Sequence, residues 1–247
     1  MSEELEKKQD AQIATSRRGH EQAVDQSDLT IPRAMLIQFT PPKTINIDPE
    51  TTPPGSIINS VTGEKLTKDE TGAIQFIPVM RAVEWIRFNS QNDKDPDFNP
   101  EYEPGAIIWR SNDPKDPRVI EEGAWGANNE PPRATKFINY LAVVPDQSMP
   151  IIVSFAKTSF KAGKVMTTMT QFAAGDLFSW KYRLRTKKEQ NDQKQQYYIL
   201  TVERAGKCSP EEFSQAEAIY NAFAGKDIKI HEETDEDSSP KEKQPWE

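Results

Sequence analysis

The chain has 247 residues, 35% hydrophobic and 28% charged, with a formal net charge of −8. Cys208 is the only cysteine, which excludes an internal disulfide; with His20 and His231 as the only histidines, Cys/His zinc sites and His-dependent triads are also set aside. The opening MSEELEKKQD lacks the apolar core of a signal peptide and no stretch reaches the ~20 apolar residues of a membrane span, so a reducing, cytoplasmic setting is expected.

Residues 1–28 carry many Glu, Gln, Asp, Lys and Arg without apolar periodicity and read as a disordered arm. The folded domain is expected over 29–230. It opens on IPRAMLIQF, bounded by Pro41 and Pro42, then on PPGSIINSVTGEKL, a short strand closed by a Thr62-Gly63 turn. IQFIPV (Ile74 to Val79) and AVEWIRF (Ala82 to Phe88) follow as β-rich segments, with Pro78 predicting an edge or a bulge between them. From about 89 to 132 the composition predicts a long irregular insertion around an apolar island at Ala106 to Trp109.

Two apolar segments, KFINYLAVV and PIIVSFAK, predict an antiparallel hairpin. A helix follows, capped by Thr158 or Ser159, with Val165, Met166, Met169 and Phe172 as its apolar stripe and Gly175 as its stop. WKYRLRTKK and YYILTVE predict a second hairpin. Ser209-Pro210-Glu211-Glu212 is a capping box opening a last helix, whose apolar face is Phe213, Ala216, Tyr220 and Phe223. Residues 231–247 form an acidic, low-complexity tail read as disordered. Around eight strands and two helices point to a mainly β (α+β) fold, a small β-barrel with helical additions and disordered termini.

Charge is unevenly spread. Between Arg133 and Lys207 there are 13 Lys/Arg against 5 Asp/Glu, a local balance of +8. Alternation along a strand puts Lys181, Arg183, Arg185 and Lys187 on one face, about 6.6 Å apart, near the phosphate spacing of extended single-stranded nucleic acid. Lys157, Lys161 and Lys164 at the helix start, and Lys188 beyond the strand, extend this basic set, and the helix N-terminus favours an anion. Gly163 stands alone, so a nucleotide-hydrolysing phosphate loop is not supported. Base stacking calls for exposed aromatics, for which Trp109 and one of Tyr197 and Tyr198 are the candidates. Asp93, Asp95 and Asp97 alternate but lack the glycine of a calcium loop and read as solvated. In the tail, Glu232, Glu233, Asp235, Glu236 and Asp237 precede an isolated Trp246, a pattern suited to partner binding and to competing with DNA for the basic body.

A basic β-body with an acidic, aromatic-tipped tail resembles bacterial and phage single-stranded DNA-binding proteins. The segments IPRAMLIQF, PPGSIINSVTGE, IQFIPVMRAVEWIRF, IIVSFAKTSFKAGK and YRLRTKKEQND also resemble a family of phage-encoded proteins of about this length. The resemblance implies an OB-like fold and sequence-independent binding of single-stranded DNA in phage replication or recombination, without catalysis or cofactor. It implies replication or recombination proteins as partners of the tail. Two alternatives remain open at this point: a phage structural or assembly accessory protein, and a DNA-mimicking regulator of a host protein.

Overall fold

A computed structural model of the chain describes residues 30–39, 48, 50–127, 130–145 and 147–224. The chain divides into two units, Met1–Thr30 and Ile31–Glu247, and every element below belongs to the second. The arm at 1–28 and the tail at 231–247 lie outside the described residues.

Among the described residues, eight strands and three helices follow in order: β1 (Ala34–Leu36), β2 (Ile57–Asn59), β3 (Ile74–Phe88), β4 (Ile107–Ser111), α1 (Pro117–Glu122), β5 (Thr135–Val143), β6 (Ile151–Phe155), α2 (Phe160–Gln171), β7 (Trp180–Gln190), β8 (Gln196–Lys207) and α3 (Pro210–Phe223). Short 3-10 turns at Lys157–Ser159 and Leu177–Ser179 precede α2 and β7. β1 and β2 form a two-stranded ribbon. The other six strands form one antiparallel sheet in the order β6-β5-β3-β7-β8, with β4 also paired to β3. The two segments read separately around Pro78 are one strand, and a register shift between Pro78 and Met80 accommodates the proline's missing donor.

The sheet is open, which corrects the expected OB-like barrel. Its outer strands, β6 and β8, do not pair with one another. Part of each edge is taken by contacts from elsewhere in the chain. On β8, the Gln38 amide donates to the Tyr198 carbonyl and accepts the Tyr198 N–H, at 2.8 and 2.9 Å. Two residues on, the Leu200 N–H donates to Ser159 Oγ at 3.0 Å. On β6, the Ile152 N–H donates to the Pro32 carbonyl at 2.8 Å. An unpaired edge invites strand addition, and these contacts occupy it with side chains and a crossing chain.

Alternation distributes the apolar residues to two faces. Ile74, Phe76, Ile138, Tyr140, Val153, Phe155, Tyr182 and Leu184 pack against α2 through Ala162 and Met166. On the other face, Ile77, Val79 and Val143 meet Ala216 of α3 and Phe178. Buried Glu84 on that sheet accepts from Asn139 Nδ2 at 2.6 Å and faces Arg33 Nη2 at 3.5 Å, which offsets the cost of burying its charge.

The capping box of α3 is present in both directions. α2 differs from its expected form. Ser159 occupies the cap position, but its hydroxyl accepts from Leu200 instead of from the helix. The buried face is Ala162, Gly163 and Met166, while Val165 and Phe172 point outward. Close approach at Gly163 rotates the helix to this face.

A Cβ at Gly163 would stand 2.6 Å from Phe155 Cβ. Gly163→Ala therefore sets a gain of about 1 kcal/mol in helix propensity against an overpacking cost of about 1–3 kcal/mol. Phe155 is fully buried and its Cβ is fixed to the backbone of β6. The cost is expected to win, lowering the urea midpoint; an unchanged or raised midpoint would show that α2 does not sit this close. Gln38→Ala strands both polar groups of Tyr198, with an expected cost of about 1–3 kcal/mol and faster aggregation on storage by light scattering.

Candidate functional site

The alternation predicted for β7 is observed: Tyr182 and Leu184 are buried, and the cations lie on the opposite face. The cations are not an open phosphate track, however. Lys181 Nζ pairs with Glu212 Oε1 at 2.9 Å, Arg183 Nε with Asp69 Oδ2 at 3.2 Å, Arg185 Nη2 with Glu203 Oε1 at 3.0 Å, and Lys187 Nζ with Glu189 Oε1 at 2.8 Å. Arg185 also donates to the Thr71 carbonyl and hydroxyl. Each cation of the row is answered by a carboxylate of the same chain, so the face is close to neutral.

Asp69 is the residue that sequence reading missed here. Its carboxylate accepts from the Thr71 N–H and hydroxyl, the Ala73 N–H, the Gln75 amide and the Arg183 guanidinium. The Thr71 hydroxyl foremost, then Gln75, hold it well below the usual carboxylate range. The turn Asp69–Ala73 thereby fixes the start of β3 and binds β7 to it. An aspartate two residues before Thr-Gly is the local signal, but its partner Arg183 is 114 residues away.

The other predicted residues are scattered. Lys157, at φ 46°, sits over the Phe88 ring at 5.8 Å. Lys161 is exposed on α2, and Lys164 lies 5.3 Å over Phe160. Lys188 lies 5.3 Å over Phe39 at the far end of β7. Trp109 is 9% exposed, its indole N–H donates to Glu122 at 3.0 Å and Arg118 covers its ring at 5.2 Å, so it is core to the insertion and no stacking platform. Tyr198 packs on Phe39 at 5.5 Å and over Gly55, and Tyr197 is half-buried beside it. The tail residues Glu232, Glu233, Asp235, Glu236, Asp237 and Trp246 lie outside the described residues.

The insertion is more regular than its composition predicts. The apolar island becomes β4, and buried Asn89 organises the loop before it by donating to the carbonyls of Asn99, Tyr102 and Glu103. Asp95 accepts from the Asp97 N–H and Ser90, and Asp97 pairs with Arg133 at 3.1 Å. Among the described residues no cluster of His, Cys, Asp or Glu is placed to hold a metal, and no helix is long and apolar enough to cross a membrane.

Two surface features are each assembled from separate segments. At the C-terminal end of α2, Phe172 is 84% exposed. After the turn that follows the helix, Trp180 donates its indole N–H to the Ala174 carbonyl at 2.8 Å, with Arg204 and Lys207 over its ring at 4.5 and 5.5 Å. On the other face of the sheet, α3 and the Leu177–Ser179 turn frame a groove of about 530 Å³, lined by Val79, Arg81, Asp176, Phe178, Glu217 and Tyr220.

Residues 4–229 match the family described as Pam3 phage gp34-like protein. The chain belongs to that family. No curated protein and no solved structure matches it. Phage association is thus retained from the sequence reading, whereas the resemblance to OB-fold single-stranded DNA-binding proteins is overturned. The family matched is a different one, the sheet of this gp34-like protein is open, and its central cationic row is internally paired.

The lowered pKa of Asp69 means that its contribution is fully present at neutral pH and is lost as pH falls through and below about 4 toward the folded value. Asp69→Asn is expected to lower the urea midpoint at pH 7, with the gap to the parent chain narrowing between pH 5 and pH 2. A gap that stays constant with pH would show that the ionised carboxylate is not what holds the β3–β7 seam.

Proposed function

We propose that this gp34-like protein is a non-catalytic accessory factor that docks other protein surfaces during phage assembly in the host cytoplasm. The observation that carries this reading is the set of large apolar side chains left on the surface. Phe172 is 84% exposed, Trp125 68% and Ile120 65%. Exposed aromatic and aliphatic groups with a polar surround mark interaction sites, and they dominate binding energy when a partner covers them.

The chemistry of the ionisable groups supports the non-catalytic part. Burial pushes the Cys208 thiol up to about 11, with Glu212 adding to the effect, so it is not a thiolate nucleophile near neutrality. Asp69, Asp95 and Asp116 are all depressed, by Thr71, by the Asp97 N–H and by Arg118 respectively. Carboxylates held this way stay ionised as turn-fixing acceptors and are poor general acids at pH 7.

Sedimentation velocity of the full chain, alone and with purified structural proteins of the encoding phage or prophage, tests the reading. Complex formation at micromolar concentration is expected. Phe172→Ser or Trp125→Ser is expected to weaken it at least tenfold, since covering such a side chain is worth about 1.5–3 kcal/mol. A chain that sediments as a lone monomer in every mixture would remove the proposal.

A further inference from the structure

The outer face of α2 and the start of β7 form one composite surface. Residues Lys161, Lys164, Val165, Thr168 and Phe172 are all exposed and share one side of the helix, since three- and four-residue steps return to the same face. Phe172 caps the helix, its N–H donating to Thr168 and Thr170 carbonyls. Trp180 is held just beyond the helix by the Ala174 carbonyl. Arg204 donates to the Met169 carbonyl at 2.9 Å, placing a cation at the negative end of the helix dipole while its guanidinium covers Trp180.

Lys161, Lys164, Arg204 and Lys207 make no ion pair with the described residues, in contrast to the four cations of β7. Asp176 is the one acid in the loop from Ala173 to Ser179, and it lines the groove on the opposite face of the sheet. Arg204 and Lys207 over the Trp180 ring, and Phe172, 84% exposed, therefore stand at the C-terminal end of α2, while Lys161 and Lys164 add positive charge along its outer face.

We propose that this surface is a docking site for an acidic protein segment carrying an aromatic or large aliphatic side chain. The apolar side chain would cover Phe172 and Val165, and its flanking carboxylates would pair with Arg204 and Lys207. Charge complementarity selects the sign of the partner. A short peptide fits better than a long polyanion, because the cationic row that would continue a phosphate track is neutralised, and the chain as a whole carries −8. The proposal deepens the docking reading above and rests on it.

The test is fluorescence anisotropy of the full chain with a fluorescein-labelled 12-residue peptide of repeating Glu-Asp-Phe-Leu. Three comparison probes are the same peptide with Ser for Phe and Leu, the same peptide with Lys for the acids, and a 12-nucleotide single-stranded DNA. The acidic apolar peptide is expected to bind with micromolar affinity that weakens with salt, and the comparison probes at least tenfold less. Phe172→Ser and Lys207→Glu, both at exposed positions, should each weaken binding at least tenfold, with thermal melts unchanged. Arg185→Gln, in the neutralised row, should leave it unaltered. Failure of the peptide to bind, indifference to both surface variants, or tighter binding of the DNA would each overturn the proposal. If the sedimentation experiment still shows complexes, only this assignment of the surface falls; if it shows none, the docking reading falls with it.

Discussion

Ile74–Phe76 of β3 bond to β7, Ile77–Ile86 to β5 and Trp85–Phe88 to β4, so that a single fifteen-residue strand carries the pairing of the larger sheet. A strand shared this way must be apolar on both sides. Its alternation sends Ile74 and Phe76 to the core under α2, and Ile77 and Val79 to the core under α3. The near-continuous run IQFIPVM follows from this double burial. Pro78 is tolerated in the interior because the register shift falls there. Asp69 fixes where the strand begins, and through Arg183 it fixes the strand that lies beside it.

Leaving such a sheet open creates two edges that a barrel would have removed. The molecule blocks them with groups from distant parts of the chain. Gln38 imitates one peptide unit of a neighbouring strand against Tyr198, and Ser159 satisfies the next outward N–H. Ser159 cannot also cap α2, so the helix starts without a side-chain cap. That uncapped start is tolerable because α2 is held by burial of Met166 and by the tight seat of Gly163 against Phe155, and not by its own end.

Local signals were legible in the sequence and remote ones were not. The capping box at Ser209 spans three residues and appears as read. The hairpins of β5–β6 and β7–β8 follow from apolar alternation around polar turns, and the Thr62-Gly63 turn closes as expected, with Gly63 at φ 71°. Half of the apolar stripe read on α2 was misplaced: Met166 is buried and Met169 packs on the core, but Val165 and Phe172 fit the same helical period and face outward, because nothing local says that a glycine marks the buried side. Barrel closure was inferred from strand count, which does not encode edge pairing. The groups that block the edges lie 160 and 41 residues from the strand positions they satisfy.

Charge shows the same limit most sharply. The balance of +8 between Arg133 and Lys207 treats a stretch of chain as if it were a patch of surface. Two of the carboxylates that answer the β7 row, Asp69 and Glu212, come from outside that window, and Glu203 comes from the neighbouring strand within it. Folding thus removes the row that looked most like a binding track. What it leaves at the C-terminal end of α2 is Arg204 and Lys207, which lie over the Trp180 ring and form no ion pair with the described residues. Cations that a protein pairs internally are tied to its own stability, and one that binds a partner with them must first break those pairs. Arg204 and Lys207 have no ion pair with the described residues to break, only ring contacts with Trp180 and, for Arg204, the Met169 carbonyl, so the end of α2 holds positive charge that the face of β7 has already paired.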